Sequence, residues 1–281
     1  MTSFVTLPFP GVIRVGEEGQ KLGLWDLITV TEGNVTLPRA GTVIFGAWSP
    51  VYDRILSVFD GTIGVCWTSS VAEVDLEPVE LAFLHQIVRD PRIDWIWFGD
   101  QSWAKAVDKG FYAPYPVKVE ERPDVPKRDI ITLFTPGKPK SNVLNQLLGV
   151  ALAQRQHPEL ELQTNLVTIP PLPLPLKVNQ RGWMPRDEYH ELLDSARVNL
   201  CVSHGETFSY QVAEATMLGT PSIVSDAVSW APEQAAWGIY AVNIADGIHW
   251  ALDREAELLD RWRIELESYA SLSLDTLTSR L

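Results

Sequence analysis

The chain has 281 residues, 46% hydrophobic and 21% charged, enough apolar material to bury a real core and too much for wholesale disorder. At about 150 residues per domain this length corresponds to two domains or one large one, which excludes a single small module. With 23 Lys and Arg against 36 Asp and Glu, the formal net charge is −13, the wrong sign for a protein that holds nucleic acid by neutralising phosphates.

Residues 1–40 carry Gly11, Gly16, Gly19, Gly23 and Gly33 among the short β-prone pieces VIRV, LITV and NVTL, a pattern that predicts hairpins or an irregular cap. No basic residue precedes Arg14, and Pro8 and Pro10 interrupt the only apolar stretch there, so no signal peptide is expected. No apolar run approaches the ~20 residues of a bilayer span, and a cytoplasmic protein without a membrane span is the expectation. Cys66 and Cys201 both lie inside apolar runs, the setting of small buried hydrophobes in a reducing compartment.

From Gly41 the pattern alternates between apolar strands and amphipathic helices: TVIFGAW then VYDRILSVF, TIGVCW then PVELAFLHQIV, IDWIWFG then SWAKAVDKG. Such alternation predicts parallel βαβ units with buried strands. Trp48, Trp67, Trp95, Trp97 and Trp103 fall near these strands, where core packing accounts for them as well as stacking on sugars or bases does. The charged stretch from Glu120 to Arg128, with Pro123 and Pro126, reads as a linker.

A second alternation follows: DIITLF, the helix VLNQLLGVALAQRQ, LELQTNL, VNQRGWM, the helix RDEYHELLDSA, VNLCVS, the helix YQVAEATML, and PSIVSD. The insert IPPLPLPLK over 169–177 cannot lie inside a helix, because proline removes a donor and clashes with the preceding turn. From Gly247 onward the chain is expected to be largely helical, with Asp253, Glu257 and Arg261 spaced along a solvated face.

The segment richest in chemistry is SHGETFSYQVAEATMLGTPSIVSDA, residues 203–227. It follows a buried strand, turns at Gly205 and is expected to open a helix near Phe208. That puts Glu206 at a strand's carboxyl end, Glu214 on the helix, and the backbone N–H groups of Thr207, Phe208 and Ser209 at a helix start suited to anions. Ligands of open α/β sheets bind at this edge. A Glu-x7-Glu spacing alone is weak, since Glu257 and Glu265 satisfy it on an exposed helix; the strand, the turn and the Gly219-Thr220-Pro221 that follows make the first pair specific.

Glu206, Phe208, Glu214-Ala215, Gly219-Thr220-Pro221 and Ser225-Asp226, with Gly182 upstream and Pro232-Glu233 downstream, resemble the donor-binding motif of retaining glycosyltransferases of the GT-B fold, the large family-4 type (glycosyl transferases group 1). The likeness covers about residues 130–281. It implies that Glu206 contacts the donor sugar, as catalytic residue, and that Glu214 holds the nucleotide ribose. In LFTPGKPKSN, Lys138 and Lys140 follow a strand and a glycine turn and resemble the family's Gly-Arg stretch with its later Lys, which grips the diphosphate; here Lys138 stands for Arg and the gap is shorter. No Asp-x-Asp occurs and the five His are never at metal spacing, so no metal site and no cofactor beyond the nucleoside-diphosphate sugar substrate are expected.

The resemblance implies an α/β GT-B architecture of two facing Rossmann-like lobes, the N-terminal one reduced. Residues 1–118 form the acceptor-side lobe, 119–128 a linker, 129–260 the donor lobe, and 261–281 a C-terminal helix returning to the first lobe. The implied reaction is hexosyl transfer with retention, in which the departing phosphate assists the acceptor and no protein nucleophile is needed. The acceptor stays open among a glycan, a protein, a small molecule and, as in phage-type enzymes, a hydroxymethylated base in DNA. A non-catalytic nucleotide-sugar binder and a GT-B epimerase also fit the residues.

Overall fold

The computed structural model describes residues 2–7, 10–30, 41–46, 49, 52, 57–70, 78–120, 125–135, 137 and 139–281. The chain divides into two compact units, Met1–Lys118 with Tyr269–Leu281, and Val119–Ser268.

In the first unit, strands β1 (Thr2–Thr6), β2 (Asp26–Thr29), β3 (Thr42–Gly46), β4 (Thr62–Trp67), β5 (Trp95–Phe98) and β6 (Gly110–Tyr112) form one sheet in the order β2-β1-β3-β4-β5-β6. All its pairings are parallel. Helices α1 (Pro10–Lys21), α2 (Pro78–Arg89) and α3 (Gln101–Ala106) fall between the strands in sequence. Continuous apolar runs such as TIGVCW, buried from Ile63 to Trp67, are what a parallel sheet covered on both faces requires.

The N-terminal segment departs from the expected hairpins. β1 pairs parallel with both β2 and β3, and VIRV lies within α1 rather than in a strand. Gly16 and Gly19 are packing positions: a Cβ on Gly16 would strike Leu27 and Phe4, and one on Gly19 would strike the Trp25 indole. Glycine costs a helix about 1 kcal/mol relative to alanine, and here it lets the helix backbone approach the sheet. Trp25 stacks on Phe4 with ring centroids 5.2 Å apart and donates from Nε1 to Gly16 O at 3.0 Å. NVTL, Trp48, most of VYDRILSVF and the centre of the charged linker lie outside the described residues.

Trp67 and Trp97 are buried, and Trp97 Nε1 donates to Ala113 O at 2.7 Å, so core packing explains both.

The second unit carries β7 (Ile130–Leu133), a 3-10 turn (Pro139–Ser141), α4 (Val143–Ala153), β8 (Glu161–Thr164), β9 (Val178–Gln180), α5 (Arg186–Ser195), β10 (Val198–Cys201), α6 (Tyr210–Met217) and β11 (Ser222–Val224). Its parallel sheet runs β11-β10-β7-β8-β9. The first strand therefore lies in the middle: the chain winds outward through β8 and β9, then returns past β7 to lay down β10 and β11. This is the strand order of a Rossmann-like sheet, with its topological switch point between β7 and β10. The proline-rich insert forms no helix or strand.

Helices α7 (Ala241–Asp253) and α8 (Glu255–Arg280) end the chain. The part of α8 up to Ser268 belongs to the second unit, where Trp262 Nε1 donates to Ser222 O at 2.9 Å; from Tyr269 the helix belongs to the first, where Tyr115 N donates to Tyr269 Oη at 2.8 Å. The exposed Arg261–Glu257 pair lies on a solvated face. Among the described residues no helix is long and apolar enough to cross a membrane.

Gly19→Ala should lower stability by ~1–3 kcal/mol, because the added methyl meets the Trp25 ring and overpacking exceeds the gain in helix propensity. Urea unfolding followed by tryptophan fluorescence measures it; a stabilised Gly19→Ala would show that the helix does not sit this close.

Candidate functional site

Two loops leave the sheet at the switch point. One follows β7 through Gly137, whose φ of +70° is in the left-handed region, into the 3-10 turn that holds Lys140. The other follows β10 and carries residues 202–209, with Glu206 near its centre. His204 N–H donates to Lys140 O at 2.7 Å, joining the loops through their backbones. Lys140 Nζ then lies 3.8 Å from Glu206 Oε1, with the two side chains only 12% and 20% exposed. The structure thus brings together two residues 66 positions apart that sequence had singled out separately. Lys138 lies outside the described residues.

Helix α6 begins two residues later than expected. Ser209 takes the N-cap position with extended backbone, and its hydroxyl accepts from Val212 N–H at 3.4 Å. The first-turn amides are therefore those of Tyr210, Gln211 and Val212, while Thr207, Phe208 and Ser209 belong to the loop before it. An N-cap serine outcompetes earlier positions because it satisfies a helix donor that would otherwise be orphaned. Phe208 is buried, its ring stacked on Trp230 with centroids 5.4 Å apart, and Trp230 meets Trp262 edge-on at 5.0 Å. The phenylalanine of the motif thus anchors the loop to the core.

Glu214 is buried on α6 and faces α5. Tyr189 Oη donates to its Oε2 at 3.1 Å, while Arg186 and His190 Nε2 each lie 3.6 Å from its Oε1. The two helices are held together by Leu192, Leu193, Ala215 and Leu218 around Phe134, with Tyr189 packed against them. Sequence reasoning missed Arg186, Tyr189 and His190. Their signal was the i, i+3, i+4 spacing within RDEYHELLDSA, which puts all three on one helical face.

The Gly-Thr-Pro of the motif has a structural task. Gly219, with φ +77°, ends α6, and Thr220 N donates back to Ala215 O at 2.8 Å. The Thr220 hydroxyl, fully buried, donates to Leu193 O at 2.6 Å and accepts from Lys127 Nζ at 2.9 Å. Cys201, half-buried as a residue, sits below the Glu206 loop. Desolvation pushes its thiol up to about 12, with the Glu206 charge adding to the rise, so it is not a nucleophile near neutral pH. Burial also raises Cys66 well above the ordinary thiol range. Among the described residues no three His, Cys, Asp or Glu side chains gather to hold a metal ion.

No protein-family model matches this sequence, and no curated protein matches it. Solved structures do match. A UDP-forming α,α-trehalose-phosphate synthase from Burkholderia vietnamiensis has a TM-score of 0.63 at 9% identity, covering 99% of this chain and 100% of its own. A TarM mutant from S. aureus, solved with fondaparinux, α-GlcNAc-glycerol and UDP, has a TM-score of 0.62 at 11% identity over 85% of this chain. A chain of the GtfA/B complex has a TM-score of 0.58 at 11% identity over 85% of this chain. The chain spans only 54% of the TarM chain's length and 56% of the GtfA/B one's. These neighbours are GT-B glycosyltransferases, and the chain shares their α/β fold, the class its strand order and motif had suggested.

Thr220→Val should cost ~1–3 kcal/mol of stability by stripping the buried Leu193 carbonyl and the partly buried Lys127 ammonium of their hydroxyl partner, while leaving the Lys140–Glu206 geometry unchanged. Denaturant unfolding, with ligand binding measured on the same preparation, tests this; a normal melting point with lost binding would move Thr220 into the site.

Proposed function

We propose that the protein is a glycosyltransferase that takes a sugar from a nucleoside-diphosphate sugar and passes it, with retention, to an acceptor not yet identified. The observation that carries this reading is the Lys140–Glu206 pair across the switch point of a Rossmann-like sheet, with Glu214 held on the adjoining helix. Uridine diphosphate is the nucleotide to test first, because the TarM neighbour was solved with UDP and the Burkholderia neighbour is UDP-forming.

In this reading Lys140, with Lys138 two positions before it in sequence, neutralises the diphosphate, replacing its pairing to Glu206 by a pairing to phosphate oxygens. The start of α6, which follows the loop of Thr207, Phe208 and Ser209, directs its first-turn amides to the same anion. Glu214 accepts the ribose hydroxyls, a task suited to a carboxylate, which can accept several hydrogen bonds, and the Tyr189 hydroxyl orients it. Glu206 faces the sugar, where its charge acts on positive character developing at the anomeric carbon. The departing phosphate assists the acceptor, so the protein supplies position and charge.

Glu214→Ala should weaken UDP binding by ~1–3 kcal/mol, the range for hydrogen bonds to a charged group, in a calorimetric titration. Unchanged affinity would remove Glu214 from the nucleotide. Glu206→Gln should instead leave UDP affinity intact and reduce kcat about tenfold or more, since an interaction made chiefly in the transition state acts on rate. Normal turnover in that variant would sink the catalytic role of Glu206. UDP release from UDP-sugars, followed across acceptor classes, should survive EDTA because lysine supplies the cation; loss on chelation with rescue by a divalent ion would refute that. Binding of UDP with no release in any acceptor class would make the protein a nucleotide-sugar binder.

A further inference from the structure

We infer that Gln146 is the positioning residue of this site, an amide clamp that sets the Lys140 turn against the Glu206 loop. The inference rests on the donor-site reading and names the residue that assembles it.

Strands β7 and β10 hydrogen-bond over only two register pairs, Val198 with Ile131 and Asn199 with Thr132. No register pair joins the two strands beyond these, so ladder hydrogen bonds do not reach the two loops. Gln146, on the first turn of α4 and 2% exposed, bridges that gap. Its Nε2 donates to Ser141 O at 2.7 Å and its Oε1 accepts from Val202 N–H at 3.0 Å. The residues tied are the immediate neighbour of Lys140 on one side and the first loop residue after β10 on the other. The same two loops are joined directly by the His204 N–H to Lys140 O bond and carry the Lys140–Glu206 pair.

The task requires an amide. Both bonds are buried and of opposite sense, one donated and one accepted, and glutamine supplies both from one planar group. Glutamate would turn an acceptor toward the Ser141 carbonyl, and leucine would leave Ser141 C=O and Val202 N–H without the amide that joins them.

The same helix contains a matched control. Gln154 follows its last turn and makes bonds of the same kind, donating from Nε2 to Lys177 O at 2.8 Å and accepting from Lys177 N–H at 2.9 Å. It serves the amino ends of β8 and β9, at the edge of the sheet away from the candidate site.

The test compares Gln146→Leu, Gln146→Glu and Gln154→Leu in the full chain by three measurements: denaturant stability, amide exchange of His204 by NMR, and UDP affinity by calorimetry. Both leucine variants should lose similar stability. Only Gln146→Leu should speed His204 exchange and weaken UDP binding, each by about tenfold or more, with Gln146→Glu in between. If Gln146→Leu does not fold, Gln146→Glu decides on the same two measurements. Unchanged His204 exchange in the Gln146 variants overturns the clamp, as does an equal loss of UDP affinity in Gln154→Leu. If the unaltered protein binds no UDP, the donor reading falls, and His204 exchange alone then supports or overturns the clamp.

Discussion

A parallel sheet that begins with its central strand has to build outward in one direction and then cross back to build in the other, so the loops after β7 and β10 leave the sheet in opposite senses. At the carboxyl ends of the strands that divergence separates two loops whose backbone is not consumed by sheet pairing. Between them the chain sets a cation from one loop and a carboxylate from the other, 3.8 Å apart. Both are largely enclosed, so their attraction is screened less than that of a surface pair. The pairing also spares either charge the cost of standing enclosed without an opposite one.

The sheet below the crevice is tied together by polar groups as well as apolar ones. Asn199, fully buried on β10, accepts from Thr132 on β7 at 3.2 Å and donates to Ser222 on β11 at 2.9 Å, its register partners on either side. Gln211, in the first turn of α6, donates to the same Asn199 oxygen at 2.7 Å. Shifting such a buried network would leave a polar atom unsatisfied. It ties the first turn of α6, the helix that carries Glu214, to the sheet. From the other side, Tyr189 meets that carboxylate from α5. Gln146 and Gln211 act alike: each uses a side-chain amide where backbone pairing ends.

The motif residues divide by task. Phe208, Gly219 and Thr220 hold the local frame, by ring stacking, by helix termination and by a buried hydroxyl. Glu206 and Glu214 present carboxylates within that frame. Frame and presented groups are thus specified by one short stretch of turn and helix, residues 206–220. In the first unit the comparable economy is steric: Gly16 and Gly19 give up helix propensity so that α1 can lie against Phe4, Trp25 and Leu27.

Much of this was legible in the chain itself. Apolar runs of four to six residues alternating with amphipathic stretches are a local property, and they located β3 to β5 and β7 to β11 and the helices α2 to α6; the strand, turn and helix around Glu206 and Glu214 were equally local. Two kinds of feature were not. The glycines of α1 read as turns because a glycine's packing partner is invisible in sequence: Gly19 faces Trp25 only once β1 and β2 pair in parallel. The start of α6 at Tyr210 depended on which of several neighbouring polar residues caps it. The pairing of Lys140 with Glu206, the grip of Tyr189 on Glu214 and the bridge of Gln146 from Ser141 to Val202 join residues 25 to 66 positions apart. The sequence by itself determined which side chains were available and on which kind of element each would sit, because periodicity and capping act over a few residues. Only the tertiary structure decided which of them meet, because that is set by the order in which strands are laid into the sheet.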